Sequence, residues 1–423
     1  MERYSSYKDS GISWIGDIPE HWEVRHLSQV SYEHYISNKE VHHQNLLSLS
    51  YGRIIRKDIN TTEGLLPASF DTYQIVEEGN IVMRLTDLQN DHKSLRVGLV
   101  KEEGIVTSAY VCLGVYDSIF PSYLYNVLHS YDIKKLFYSM GGGLRQNLNW
   151  QGLKKLDIPL PPKDEQQAIV AYIEEKRQMI DAYVADKEKE IELLQELKQK
   201  TIADAVTKGL NPDAKMKDSK TSLFGQIPFH WEERKMKYCF SERSEKNHPE
   251  EPILCATQSQ GVIPQSMYQN RVVVVNKGFE GLKFVKAGDF VISLRSFEGG
   301  IEYAYYQGII SAAYTILTPL NANNTDYFKF LFKSYPFIQV LQTCVTGIRE
   351  GQNINYQMLG RNFLPLPPSD EQQAIVAYIE EKCEKIDKLA SELQSEIDYL
   401  KEYKQRLIAD CVTGQVNVQN EMI

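Results

Sequence analysis

The stretch DEQQAIVAYIEEK occurs twice, at 164–176 and at 370–382, identical in every residue and offset by 206 positions. Each copy follows a proline pair, in LPPK or LPPS, and each is continued by apolar residues at alternating steps of three and four. The first series is Ile169, Ile173, Ile180, Val184, Ile191, Leu194 and Ile202; the second is Ile375, Ile379, Ile386, Leu389, Leu393, Ile397, Leu400 and Ile408. Such spacing is that of a coiled-coil seam, so it predicts one long helix over 164–208 and another over 370–414. Ser369 to Gln372 reads as a capping box, and Gly209 and Gly414 as the glycines that end the helices. About 45 residues rising about 1.5 Å each make a rod of roughly 68 Å. A single rod cannot bury its seam, whereas two of equal length can bury each other's. Lys176 with Lys382, and Lys198 with Lys404, interrupt the two seams at equivalent places. They either fix the register or snorkel out of the seam.

The duplication extends outward from this core. KDSGISWIGDIPEHW (8–22) matches KDSKTSLFGQIPFHW (217–231), and TIADAVTKG (201–209) matches LIADCVTGQ (407–415). The chain therefore reads as two copies of a unit of roughly 200 residues. Trp22 and Trp231, each after a histidine in a repeated motif, are expected to seat a globular part against a helix. Within each copy EGNIVMRLTDL (78–88) or AGDFVISLRSF (287–297), then EGIVTSAYVCLGV or QGIISAAYTILTP, supply strands. SYLYNVLHSYDIKKLFYS and DYFKFLFKSYPFIQVLQT supply amphipathic helices. A glycine-rich loop, GGGLRQNLNW or GIREGQNINY, carries basic and amide side chains. The expected fold class is α+β: two globular α/β domains separated by two long antiparallel helices forming a coiled coil, with a pseudo-twofold internal repeat. By sequence the segments are 1–158, 159–212, 213–363 and 364–423.

Composition narrows the possible functions. With 42% hydrophobic and 24% charged residues, the 423-residue chain is that of a soluble globular protein. No segment has the pattern of a signal peptide or the 18 or so apolar residues of a membrane span, so a cytoplasmic location is expected. Six scattered cysteines without a CxxC pair read as reduced packing thiols, and no metal site is expected. The helical stretches 164–208 and 370–414 carry net charges of −4 (7 basic, 11 acidic) and −5 (6 basic, 11 acidic); together they equal the −9 of the whole chain. The remainder is neutral overall, so the acidic balance does not argue against a nucleic-acid partner, nor does it supply a basic field. Phosphate-loop, GxSxG and HExxH motifs are absent, as is an Asn-Pro-Pro-aromatic or Asp-Pro-Pro-aromatic methyltransferase tetrapeptide. His42 and His43 read as a surface pair, and Asp213 near Lys215 as a linker turn.

Taken together, the IPEHW and IPFHW motifs, the NLNW or NINY step into IPLPP or LPLPP, the helices opening on DEQQ, and the tandem order resemble the specificity subunit of type I restriction-modification systems. The resemblance covers essentially the whole chain. It implies that the segments 1–158 and 213–363 are two target-recognition domains, each reading one half of a split DNA sequence, with the helices of 159–212 and 364–423 as a spacer. It also implies a non-catalytic chain that joins two modification (methyltransferase) subunits and two restriction (translocase and endonuclease) subunits. S-adenosylmethionine, ATP and Mg would be bound by those partners, not by this chain.

If so, Arg to guanine and Asn or Gln to adenine are the base contacts expected, with Lys gripping phosphate. The candidate DNA contacts are Arg53, Arg56, Lys57, Arg84, Lys93, Arg96, Arg145, Gln146 and Asn147 in the first copy. In the second they are Arg271, Lys283, Arg295, Arg349, Gln352 and Asn353. Tyr51 is a further candidate, while Tyr110 and Tyr314 lie in apolar strand patterns and read as core. The helix starts supply the candidate partner-binding residues Gln166, Gln167, Ile173, Gln372, Gln373 and Ile379. A scaffold of two protein-interaction domains would also explain the helices, but not why amide- and Arg-bearing loops recur at one place in both copies. A self-sufficient nucleic-acid enzyme would need a carboxylate cluster or cofactor loop.

Overall fold

A computed structural model describes residues 2–40, 43–60, 69–91, 93–142, 147–268, 278–321, 325–347 and 353–419. The chain forms two compact units, one of residues 1–187 with 395–423 and the other of 188–394. The boundary falls within the two long helices, Lys163–Lys208 and Ser369–Val412, so each unit takes the start of one helix and the end of the other. Both helices end as the sequence predicts, at Gly209 and Gly414 with φ of 73° and 72°, a left-handed conformation that glycine adopts without penalty.

In the first unit, strand Glu23–His26 pairs antiparallel with Asp157–Leu160, the strand that leads into the first long helix. Beyond this pair lies a four-stranded sheet in the order Val97–Leu99, Ile81–Met83, Val111–Val115, Ser31–Glu33, all antiparallel. A three-stranded sheet (Gly104–Val106, Gln74–Val76, Ile36–Ser37) and a hairpin (Leu47–Ser50, Arg53–Arg56) complete the β part. Helix Pro121–Ile133 buries Tyr123, Leu124, Val127 and Leu128 against this frame, with Ile169 and Ile173 of the first long helix and Leu407, Ile408 and Val412 of the second in one core. The Tyr123 hydroxyl donates to the carbonyls of Pro159 and Val412, at 3.0 and 3.2 Å. It thus ties the run into one helix to the end of the other. Each apolar run expected as strand holds short strands, and the amphipathic segments are helical.

The second unit has the same internal logic. Strand Glu232–Lys235 pairs with Phe363–Leu366 ahead of the second long helix, and a four-stranded sheet runs Phe240–Arg243, Thr315–Pro319, Phe290–Ile292, Glu302–Tyr303. The Tyr327 hydroxyl donates to the carbonyls of Val206 and Pro365, at 2.9 and 3.2 Å. Trp22 and Trp231 are 0% and 1% exposed in the two cores. They stack over the terminal glycines: a Cβ on Gly414 would lie 3.3 Å from Trp22, and one on Gly209 would lie 3.2 Å from Trp231. The histidine before each tryptophan bonds a glutamate of the DEQQ motif: His21 to Glu165 and His230 to Glu371, both at 2.8 Å.

Where the long helices meet, they run antiparallel: in the first unit Asp181 faces Lys404 and Lys187 faces Glu396. Lys404 Nζ lies 2.5 Å from Asp181, and in the second unit Lys198 Nζ lies 2.6 and 2.7 Å from the two oxygens of Asp387. These two seam lysines thus bridge to an aspartate of the other helix. Lys176 and Lys382 instead lie over the rings of Tyr172 and Tyr378 one turn earlier on their own helices. Two details correct the sequence reading. Leu389, expected in the seam, is 43% exposed. Gln372 turns its amide to the carbonyl of Pro367 instead of closing a capping box on Ser369, and its Oε1 has no partner. All six cysteines are buried and none forms a disulfide. Among the described residues no helix is long and apolar enough to cross a membrane and no group of side chains is arranged to hold a metal ion.

Candidate nucleic-acid interface

The glycine-rich loop of the first unit is built on a closed base. Gly142 and Asn147 exchange backbone hydrogen bonds at 3.2 and 3.1 Å, and Leu148 N–H donates to the Leu85 carbonyl at 2.9 Å. The Asn147 side chain accepts from Asp87 N–H at 2.9 Å, so the C-terminal foot of the loop is held against the turn after strand Ile81–Met83. Two residues on, Asn149 caps the short helix Trp150–Leu153, its side chain accepting from Gly152 N–H. In the second unit Asn353 lies in a strand paired with Val345–Thr346, and Asn355 caps Tyr356–Leu359 from the same place. The second asparagine of NLNW and NINY is therefore a helix cap, which satisfies an otherwise orphaned N–H. The sequence could have shown it, since Asn stands immediately before a short helical run in both copies. Arg145, Gln146, Arg349 and Gln352 lie outside the described residues, as do Arg271 and His42.

Arg96 was expected on the surface with the other basic residues; it is instead fully buried. Its guanidinium donates to the carbonyls of Arg84 and Thr86 at 3.1 and 2.8 Å, to that of Asp91 at 2.6 Å, and to the Tyr138 hydroxyl at 2.9 Å. Five donors in a rigid fork are what allows one side chain to hold a whole turn by its carbonyls. Asp91, hydrogen-bonded by Ser94 and close to Arg96, is held ionised down to about pH 2. Arg96 therefore shapes the 84–91 turn that carries the Gly-rich loop, and does not itself reach outward. Around that turn Lys93 and Asn147 are exposed and Arg84 half-exposed. Arg53, Arg56 and Lys57 are exposed on the hairpin, where Arg56 is paired with Glu102. The hairpin turn carries Tyr51 at φ 46° and 77% exposure, followed by Gly52 at φ 77°. A tyrosine in that conformation costs of the order of 1 kcal/mol. In the second unit Arg295 and Asn353 are exposed, whereas Lys283 donates to the Tyr314 carbonyl at 2.7 Å. Tyr110 and Tyr314 are half-buried against apolar clusters, as their strand patterns suggested.

The candidate partner-binding residues divide similarly. Gln167 and Gln373 are exposed, but Gln166, Ile173, Gln372 and Ile379 are at most 5% exposed inside their own units. Gln166 is spent internally, accepting from Phe120 N–H and donating to the carbonyls of Ser118 and Pro161. The chemistry available is thus recognition: exposed guanidinium and amide groups on loops held by a rigid frame.

Known proteins place this arrangement. The fold is similar to a chain solved in work on the complex assembly and conformational transition of the type I R-M system, at TM-score 0.65 and 16% identity, covering 94% of this chain and 99% of that one. It is also similar to the HsdS subunit from Thermoanaerobacter tengcongensis, at TM-score 0.51 and 16% identity, over 94% and 98% of the two chains. A protein of Methanocaldococcus jannaschii, provisionally named as a type I restriction enzyme MjaX specificity subunit, is 26% identical over 96% of both sequences. The model of the type I restriction modification DNA specificity domain matches residues 96–193, from Arg96 beneath the loops through about the first two thirds of the first long helix. Over nearly its whole length the chain is thus similar to a type I restriction-modification specificity subunit, and its residues 96–193 match the DNA specificity domain of those systems.

Proposed function

We propose that this chain is the sequence reader of a type I restriction-modification complex, with each unit reading one half of a bipartite DNA target. The observation that carries the division into two readers is the same loop site in each unit, built on the same capped helix with an equivalent asparagine, Asn147 or Asn353, but with different neighbours: Lys93 and Arg84 in one, Arg295 in the other. Asparagine and arginine offer the bidentate geometry that discriminates adenine and guanine in the major groove, each such pair worth about 1–3 kcal/mol against a wrong base. Lys93 and Lys57 would grip phosphate. The long helices are read as an antiparallel coiled-coil spacer with a pseudo-twofold repeat, their register fixed by the Lys198–Asp387 and Lys404–Asp181 pairs.

Two methyltransferase subunits would dock on equivalent helical surfaces, with two restriction subunits joining that core. The exposed Gln167 and Gln373 are available for this contact. So are exposed apolar side chains along the helices, Met179, Tyr183, Tyr399 and Tyr403 in the first unit and Leu193, Leu197 and Leu389 in the second. On this reading the chain is non-catalytic: S-adenosylmethionine, ATP and Mg act on the partner subunits. The test is selection from random duplex pools by the chain with its methyltransferase partner, before and after residues 20–158 are replaced by those of another family member. One half of the selected sequence should change and the other persist. A change in both halves, or methylation or cleavage by this chain alone, would refute the reading.

A further inference from the structure

The first unit contains a cavity of about 500 Å³ between the hairpin tip, helix Pro121–Ile133 and the long helices. Its wall carries four cations, Arg53, Lys101, Arg177 and Lys404, against two carboxylates, Glu174 and Asp181. The cations that have internal partners keep spare donors: Arg177 bonds Asn126 Oδ1 at 2.9 Å and lies 3.4 Å from Glu174, and Lys404 pairs with Asp181. At the back of the cavity His129 stacks on Tyr125, with ring centroids 5.6 Å apart, and its buried Nδ1 has no hydrogen-bond partner. Burial, with Arg177 and Lys404 nearby, pushes the imidazole down to about 4, so it stands neutral near pH 7 with a nitrogen free to donate or accept. A buried polar atom without a partner costs about 1–3 kcal/mol, and a ligand that satisfies it recovers that cost.

The second unit shows how the same place is closed when no ligand is needed. The segments 122–131 and 326–335 align through Tyr123 with Tyr327 and Ser130 with Ser334, each pair making the same bonds, so His129 corresponds to Lys333. Lys333 Nζ fills its own surroundings, bonding Glu302 at 2.5 Å and the carbonyls of Gly299 and Gln258 at 2.9 and 3.2 Å. Asn126 and Arg177 correspond to Phe330 and Cys383, so the Asn126, Arg177 and His129 part of the lining is not repeated in the second unit, although the Lys404–Asp181 pair is.

We propose that the first-unit cavity is a phosphate site: it takes a doubly charged phosphate group, held by Arg177, Lys404, Arg53 and Lys101 and hydrogen-bonded by His129. Two excess positive charges match a phosphate dianion, and the volume accommodates a ligand of mononucleotide size. The phosphate is either that of a free small molecule or one of the DNA backbone. The second source rests on the DNA-reading function, the first does not.

Two measurements separate these. The first is ³¹P line broadening of inorganic phosphate, pyrophosphate and adenosine 5′-monophosphate by the full chain. The second is the affinity and salt dependence of duplex binding by the chain with its methyltransferase partner. Both are repeated with Arg177→Met and with Lys101→Gln, an exposed position that serves should Arg177→Met fail to fold. A free-ligand site gives broadening that Arg177→Met weakens about tenfold, the value of one charged hydrogen bond, with duplex binding unchanged. A backbone site gives no broadening but a salt slope reduced by about one in each variant. Broadening that neither variant alters, or no effect in either measurement while the wild-type complex still selects its duplex, overturns the proposal and leaves the DNA-reading function standing.

Discussion

Removing Lys404 from its pair with Asp181 tests whether charge holds the register of the two helices. The pair is 2.5 Å long, with side-chain exposures of 23% for Lys404 and 42% for Asp181. Its counterpart, Lys198 with Asp387, is 23% and 52% exposed. Solvent still reaches both carboxylates, so neither pair is worth the several kcal/mol of a buried one. The expected coupling is at the upper end of the exposed range, about 0.5–1 kcal/mol per pair. In a cycle of Lys404→Met, Asp181→Asn and the double substitution, thermal unfolding at low salt should return that coupling. For a unit of 150–250 residues this corresponds to a shift of about 1–4 °C in Tm. In 1 M salt, where the screening length is about 3 Å, most of the coupling should vanish. A coupling of zero at low salt would refute the register argument, and one that persists unchanged in 1 M salt would assign the effect to packing of the lysine stem.

Three other outcomes follow from the geometry. Ala at position 414 should cost more than at 209 although both glycines share the same φ: its Cβ would lie 2.3 Å from Pro19 Cδ, against 2.9 Å from the movable Glu371 Oε1 at 209. Melting curves should show about 2–4 kcal/mol for Gly414→Ala and about 1–2 kcal/mol for Gly209→Ala. Arg96→Met strips the 84–91 turn of its donors and should cost about 2–4 kcal/mol; target selection should lose one half-site and keep the other. Burial raises the Glu302 carboxyl to about 7 even beside Lys333. With the folded value above the unfolded one, the second unit's stability should be greatest below about pH 4.5 and fall as pH rises to about 7. In unfolding measured from pH 5 to 8, Glu302→Gln should flatten that fall, of at most about 3 kcal/mol; an equal fall in the variant would remove Glu302 as its source.

Much of the frame was legible because it is written twice. Repetition marked the helices, their terminal glycines and the tryptophans that sit on them, since each is a local rule obeyed at two places. The His–Glu bonds between the IPEHW or IPFHW motif and DEQQ were equally repeated, but joining them requires knowing that the segments meet in space, which no periodicity reports. Arg96 and Lys93 are both basic residues in one loop-rich stretch, yet one is buried and the other exposed, because three-dimensional closure of the 84–91 turn decides between them. Gln166 and Gln372 look like surface residues of a polar helix start; the cores of the two units fold over them. Leu389 keeps the heptad spacing but leaves the seam, because its helix's apolar positions drift around a surface only partly covered.

The core of the first unit contains Leu407, Ile408, Cys411, Val412, Val416 and Val418, and Asn417 N–H donates to the Glu2 carbonyl at 3.0 Å. The second unit, by contrast, is drawn entirely from one continuous run, 188–394. During synthesis the half made first is therefore the half completed last: at about 5–20 residues per second, residues 1–187 wait roughly 10–50 s for the segment that finishes their core. In that interval the faces of Trp22 and Tyr123 that the C-terminal segment will cover lie open, and a chain released after residue 394 would contain every residue of the second unit but lack the segment that completes the first.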